Sequence, residues 1–159
     1  MIRTTCLLLL LGAGTSLPAW AQAGEPGPPA VLAAVHRLFD AMRTGDSAAV
    51  RAAFHPSAYL ATALEGPNGP VLRVDTLEAF VRAVGTPHGE AWDERLYGEE
   101  VRIDGPLATV WTEYSFFVGG KFSHCGVDAF QLARTGDGWK IIALTDTRRQ
   151  AGCRREGGG

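Results

Sequence analysis

The chain has 159 residues, of which 46% are hydrophobic and 20% charged, with a net charge of −2. That is enough material for one globular domain with a real core, and too little polar bias for a long disordered span. A near-neutral charge without a basic stripe carrying interleaved aromatics argues against nucleic acid as a partner.

Arg3 precedes the apolar run Cys6 to Leu11, and Ala21-Gln22-Ala23 supplies a small-x-small cleavage pattern. Residues 1–23 therefore read as a cleaved secretory signal, which predicts a secreted or periplasmic protein with no membrane association after cleavage. The alternative, a retained anchor, has an apolar run well short of the roughly 20 residues a spanning helix needs. Cleavage removes Arg3 and no acidic residue, so the mature net charge becomes −3. It also removes Cys6 and leaves Cys125 and Cys153. In an oxidising compartment these two are expected to pair, stabilising the fold by roughly 3 to 4 kcal/mol through loop closure. Without a Cys-x-x-Cys pair or clustered histidines, no metal site is predicted.

Residues 24–29 form a Pro-rich leader with little to bury. From Ala30 the apolar positions Val31, Ala34, Val35, Leu38, Phe39 and Met42 predict a long amphipathic helix ending near Gly45. Asp46 caps a second helix through Phe54, which Pro56 prevents from continuing. Tyr59 to Leu64 reads as a short strand, residues 65–70 as a turn, and Val71 to Val74 as a return strand. Asp75 with Glu78 resembles a capping box for a third helix bearing Leu77, Phe80, Val81 and Val84. Weaker strand text runs from Trp92 to Ile103. Leu107 to Thr147 is then an antiparallel meander, broken by tight turns at Gly119-Gly120 and Gly136-Asp137. The single domain is expected over residues 30–148. Residues 149–159 form a C-terminal tail, with Arg148, Arg149, Arg154 and Arg155 read as solvated.

Leu38-Phe39-Asp40-Ala41-Met42 with Gly45-Asp46, Ala108-Thr109-Val110-Trp111, Cys125-Gly126-Val127-Asp128-Ala129-Phe130 and Asp137-Gly138-Trp139-Lys140-Ile141 together resemble the nuclear transport factor 2-like superfamily. Within it, the chain is similar to the SnoaL-like and lumazine-binding group. The resemblance implies an α+β cone: a curved antiparallel sheet wrapped around three N-terminal helices, with a pocket between them. Members of the superfamily include isomerases, dehydratases, epoxide hydrolases, polyketide cyclases and proteins without catalysis, so fold alone does not give function.

Two-residue turns in the meander would set Trp111 opposite Asp128 and Asp128 opposite Thr145. Alternation across the sheet then gathers Trp111, Glu113, His124, Asp128, Phe130 and Thr145 on one face, assigned to the concave side. With Phe39 and Met42 of the first helix, Trp111, Phe130 and Thr145 are the candidate contacts for a hydrophobic small molecule. Asp128 is the candidate general base, partnered by Glu113 and His124. The structural alternative is that Asp128 satisfies backbone groups while Glu113 and His124 lie at the surface. A single bulge would exchange the faces and bring Asp146, Tyr114 and Gln131 into the pocket. His36 and Asp40, one turn apart, read as a solvated pair.

The opposite face, with Val110, Tyr114, Phe116, Val127, Ile142 and Leu144, is apolar enough to predict a homodimer through the convex sheet. No nucleophile elbow, phosphate loop or metal motif is present, and no cofactor is implied. The favoured reading is an exported small-molecule-binding domain without assigned catalysis. The alternatives are an isomerase or lyase acting through Asp128 on a hydrophobic cyclic or carbonyl substrate, and an accessory protein-interaction module.

Overall fold

The computed structural model describes residues 27–155. The signal reading of residues 1–23 lies outside these, as do residues 24–26 of the leader and 156–159 of the tail. Helix α1 (Pro28–Thr44) begins inside the stretch read as leader, because Pro28 and Pro29 occupy its first turn, where no amide donor is needed. It ends at Gly45, whose φ of 68° lets its amide reach back to the carbonyls of Ala41 and Met42. Helix α2 (Ser47–Ala53) is capped as its sequence suggests, with Asp46 Oδ1 accepting from the Ala49 amide at 2.9 Å.

Strands β1 (Phe54–Gly66) and β2 (Gly69–Asp75) form an antiparallel hairpin considerably longer than the short strands anticipated. The cap of α3 (Leu77–Gly85) is Thr76 rather than Asp75: Thr76 Oγ1 accepts from the Ala79 amide at 3.1 Å. Glu78 instead forms a two-pronged ion pair with Arg51 of α2. Strands β3 (Trp92–Asp104), β4 (Leu107–Val118), β5 (Lys121–Thr135) and β6 (Gly138–Thr147) complete a six-stranded mixed sheet in the order β2-β1-β6-β5-β4-β3. Its one parallel pairing joins β1 to β6, so the first strand of the sheet docks on the last.

The apolar stripe of α1 (Val31, Ala34, Val35, Leu38, Phe39, Met42) is buried against Ala108, Val110, Phe130, Leu132, Trp139 and Ile141 of the sheet. Phe39 meets Phe130 edge to face, with centroids 6.0 Å apart. This is the α+β cone, with helices closing the concave side of an open sheet.

The C-terminal segment does not simply project into solvent. Arg149 and Cys125 exchange backbone hydrogen bonds of 2.8 and 2.9 Å. Cys125 and Cys153 form a disulfide with their Cα atoms 5.7 Å apart. Arg154 lies over the Tyr97 ring and its carbonyl accepts from Ser115 Oγ, while Arg155 lies over Phe122. The bond closes a loop of 28 residues. Replacing Cys153 by Ser should therefore cost roughly 3 kcal/mol of stability; unchanged urea unfolding midpoints for C153S and wild type would refute this.

Candidate functional site

Two ladder irregularities decide which side chains face the helices. In the β4–β5 hairpin, Val118 pairs with Lys121 as the turn predicts, but Phe117 pairs with Phe122 and Phe116 with His124, leaving Ser123 as the extra residue. Asp128 consequently lies opposite Thr112, and Trp111 opposite Ala129. In β5–β6, Gln131 pairs with Ala143 but Leu132 with Ile141, so Ile142 is extra and Asp128 faces Asp146 rather than Thr145. Each bulge moves every residue beyond it to the other face.

The concave face of β4 is thus Ala108, Val110, Thr112, Tyr114 and Phe116, and that of β6 includes Leu144 and Asp146. Trp111 and Glu113 stand on the convex side, where Trp111 is 55% exposed and Glu113 lies 3.5 Å from Arg154. Thr145 and Gln131 share a shallow convex groove with Trp111. Phe130 does face inward, but it fills the core against Phe39. Val110, Tyr114, Phe116 and Leu144, expected on a convex dimer surface, are concave for the same reason. His36 pairs with Glu99 at 3.3 Å, and Asp40 with Arg43 at 2.9 Å, so the two do not pair with each other.

Between α1, α3 and the concave sheet lies a cavity of about 360 Å³. Phe39 and Met42 line it as expected, joined by Leu38, Leu60, Phe80, Trp92, Phe116 and Leu144. Its polar wall gathers Glu94, Tyr114, His124, Asp128, Asp146 and Arg148. Of the three residues proposed for acid–base chemistry, Asp128 and His124 are therefore brought together and Glu113 is excluded. Glu94 takes the place foreseen for Glu113. Its signal was legible: Trp92, Glu94 and Leu96 alternate onto one face, placing a charge in an apolar register.

Asp128 is only 2% exposed, and its Oδ2 has no hydrogen-bond partner. Burial, reinforced by the Glu94 and Asp146 carboxyls, pushes the Asp128 carboxyl well above the usual carboxylate range, against an opposing pull from Arg148. Burial also pushes Glu94 up to about 7, while its interaction with Asp128 works in the other direction. Burial raises both carboxyls, so the two titrate as one pair that keeps a shared proton.

Asp146 is held by Arg148, whose Nε donates to its Oδ2 at 2.7 Å. The Tyr114 hydroxyl donates to the Thr147 carbonyl at 2.8 Å; burial first, and then the nearby carboxylates, raise its pKa and keep it neutral. Burial, with Arg148 second, lowers the His124 imidazole below its usual range and favours the uncharged ring. Gly126 permits this close approach of β5 and β6, because a Cβ there would lie 1.8 Å from the Thr147 carbonyl oxygen.

A curved sheet closed on its concave side by three N-terminal helices is the nuclear transport factor 2-like fold, and solved structures agree. The chain is similar to an NTF2-like protein from Cytophaga hutchinsonii (TM-score 0.63, 15% identity, covering 76% of this chain and 97% of that one). It is also similar to a "Putative Scytalone Dehydratase" from Novosphingobium aromaticivorans (TM-score 0.61, 11% identity, covering 77% and 83%). At these identities the likeness is one of fold. The chain belongs to the family described as "Putative lumazine-binding", whose model matches residues 28–145. A comparison with curated proteins finds no match.

The shared proton has a consequence for stability. Asp128 holds its proton more tightly folded than unfolded, so its contribution is fully present below the ordinary carboxylate pKa and is lost as pH rises toward its raised folded value. Asp128→Asn stays neutral throughout. Wild type should therefore lose stability relative to D128N between pH 5 and 8, by at most about 1.4 kcal/mol per pH unit. Urea unfolding of both proteins at pH 5, 6.5 and 8 measures the difference, and a constant value would contradict the assignment.

Proposed function

We propose that this chain is an exported domain that binds a small molecule with an apolar body and a polar head. The body lies along Phe39, Met42, Phe80 and Phe116, and the head meets Asp128. The observation that carries this reading is the unpartnered Oδ2 of the buried Asp128, on the polar wall of a cavity whose other wall is apolar. A buried polar atom left without a partner costs roughly 1 to 3 kcal/mol, which a ligand group completing its hydrogen bond would recover. The family description, which names lumazine binding, supports a small-molecule ligand in general terms.

A second reading, an isomerase or lyase for a hydrophobic cyclic or carbonyl substrate, is favoured by the shared proton of Asp128 and Glu94. In that reading Asp128 and Glu94 form the acid–base pair, with Glu94 in the partner role expected of Glu113. Two further elements accompany the proposal. Export follows from the reading of residues 1–23 as a signal, and a homodimer would use the convex groove around Trp111, where Trp111 and Leu107 are exposed.

One experiment addresses these elements separately: native and denaturing mass spectrometry of the protein purified from its own cells. The denatured mass should correspond to a chain starting at Gly24, and a chain retaining residues 1–23 would overturn export by cleavage. The native spectrum should carry a retained small molecule that is absent from Asp128→Asn. A ligand retained equally by D128N removes Asp128 as the anchor. The assembly should be twice the chain mass, and a monomer at micromolar concentration removes the dimer.

A further inference from the structure

We infer that the ligand of this cavity is an organic monocation, a protonated amine carried on an apolar body, whose ammonium group sits against Asp128 and Glu94. This rests on the reading that the cavity holds a small molecule and adds the chemistry of that molecule. The cavity is lined by four carboxyls, Asp75, Glu94, Asp128 and Asp146, against two guanidinium groups, Arg73 and Arg148. One guanidinium is already committed, since Arg148 donates to Asp146 at 2.7 Å. The Tyr114 proton is also spoken for by the Thr147 carbonyl, and His124 favours its neutral form.

Beside Asp128, then, the wall offers acceptors and little positive charge. A carboxylate or phosphate head would meet carboxyl groups in a medium of low dielectric constant, where like charges repel strongly. A metal ion is a poor occupant, because among the described residues no three His, Cys, Asp or Glu side chains are placed to hold one. A neutral head could satisfy Asp128 Oδ2, but it would leave the surplus of carboxyl groups unbalanced. An ammonium group does both, and the Phe80, Trp92 and Phe116 side chains supply apolar surface for the body that carries it.

The proton balance follows. With the cavity empty, the acid pair keeps one proton. An entering ammonium group replaces that proton as the counter-charge, so one proton leaves for solvent as one cation arrives, and the net charge of the cavity is unchanged. The titratable and charged groups facing the pair of Glu94 (β3) and Asp128 (β5) are Tyr114 from β4, His124 from β5, Asp146 from β6 and Arg148 just beyond it. The lining residues of α1 and α3 are uncharged, and β2 contributes the exposed Arg73 and Asp75.

The test is isothermal titration of the full chain at pH 7 with three probes of similar size: 2-phenylethylamine, 2-phenylethanol and 3-phenylpropionate. Each is run in two buffers of unequal ionisation enthalpy, so that released protons are counted. The amine should bind at least tenfold more tightly than the alcohol and release up to one proton, and the carboxylate should not bind. Asp128→Asn, checked by its melting temperature to be folded, should reduce the preference for the amine below threefold and leave the alcohol unaffected. Equal or tighter binding of the alcohol or the carboxylate would overturn the cation while leaving the small-molecule reading standing. An undiminished amine preference in D128N would overturn the placement against Asp128. If none of the three binds the folded chain, the cation inference is overturned, and the small-molecule reading stands or falls on the ligand retained in the native mass spectrum.

Discussion

The pleat of a β-sheet gives each residue one of two faces, so one unpaired residue in a ladder reassigns everything beyond it. Ser123 does this between β4 and β5, and Ile142 does it between β5 and β6. Tyr114 and Asp146 enter the cone as a result, while Trp111, Glu113 and Thr145 leave it. The same insertions suit a sheet that must bend around α1, because a bulge increases local twist where a regular ladder would stay flatter. Curvature and site composition are therefore set by the same residues.

The polar wall that results is unusual in its charge balance. Most buried carboxyls in proteins are offset by a cation or by several donors, and here Asp146 is, through Arg148. Asp128 is not: its neighbours include two other carboxyls, and one of its oxygens lacks a partner altogether. Holding a proton is how such a group tolerates burial, and the surrounding residues fit that arrangement. Tyr114 directs its hydroxyl to a backbone carbonyl, and Gly126 lets β5 and β6 approach closely enough for that carbonyl to be in reach. The fold thus keeps the acid pair from being quenched by its own side chains.

Much of the architecture was legible in the sequence because it is written in local periodicity. The stripe on α1, the Asp46 cap, the Gly119-Gly120 hairpin and the inward face of β5 all follow from residue spacing and turn chemistry. The faces of β4 and of the second half of β6 did not, because neither bulge carries a marker: Ser123 lies in the strand run Phe122-Ser123-His124, and Ile142 is as good a strand residue as its neighbours. Thr76 displaced Asp75 as a helix cap because β2 extends through Asp75. Glu94 was missed because the strand that bears it reads weakly, although its alternation with Trp92 and Leu96 carried the signal. The tail arginines were read by charge alone, whereas Arg154 and Arg155 lie over aromatic rings that the strand register exposes.

The parallel docking of β1 on β6 also bears on how the domain comes to exist. Phe54 meets Ile141 and Ala63 meets Thr147, so the hairpin β1–β2 has no place in the sheet until nearly the whole chain is available. Such long-range pairing closes large loops before it is rewarded, which slows folding and ties completion of the core to the last strand. The cavity is likewise a long-range feature, because its wall draws on β1 and β2 at one end of the strand order, on β3, β4 and β5 at the other, and on β6 between them.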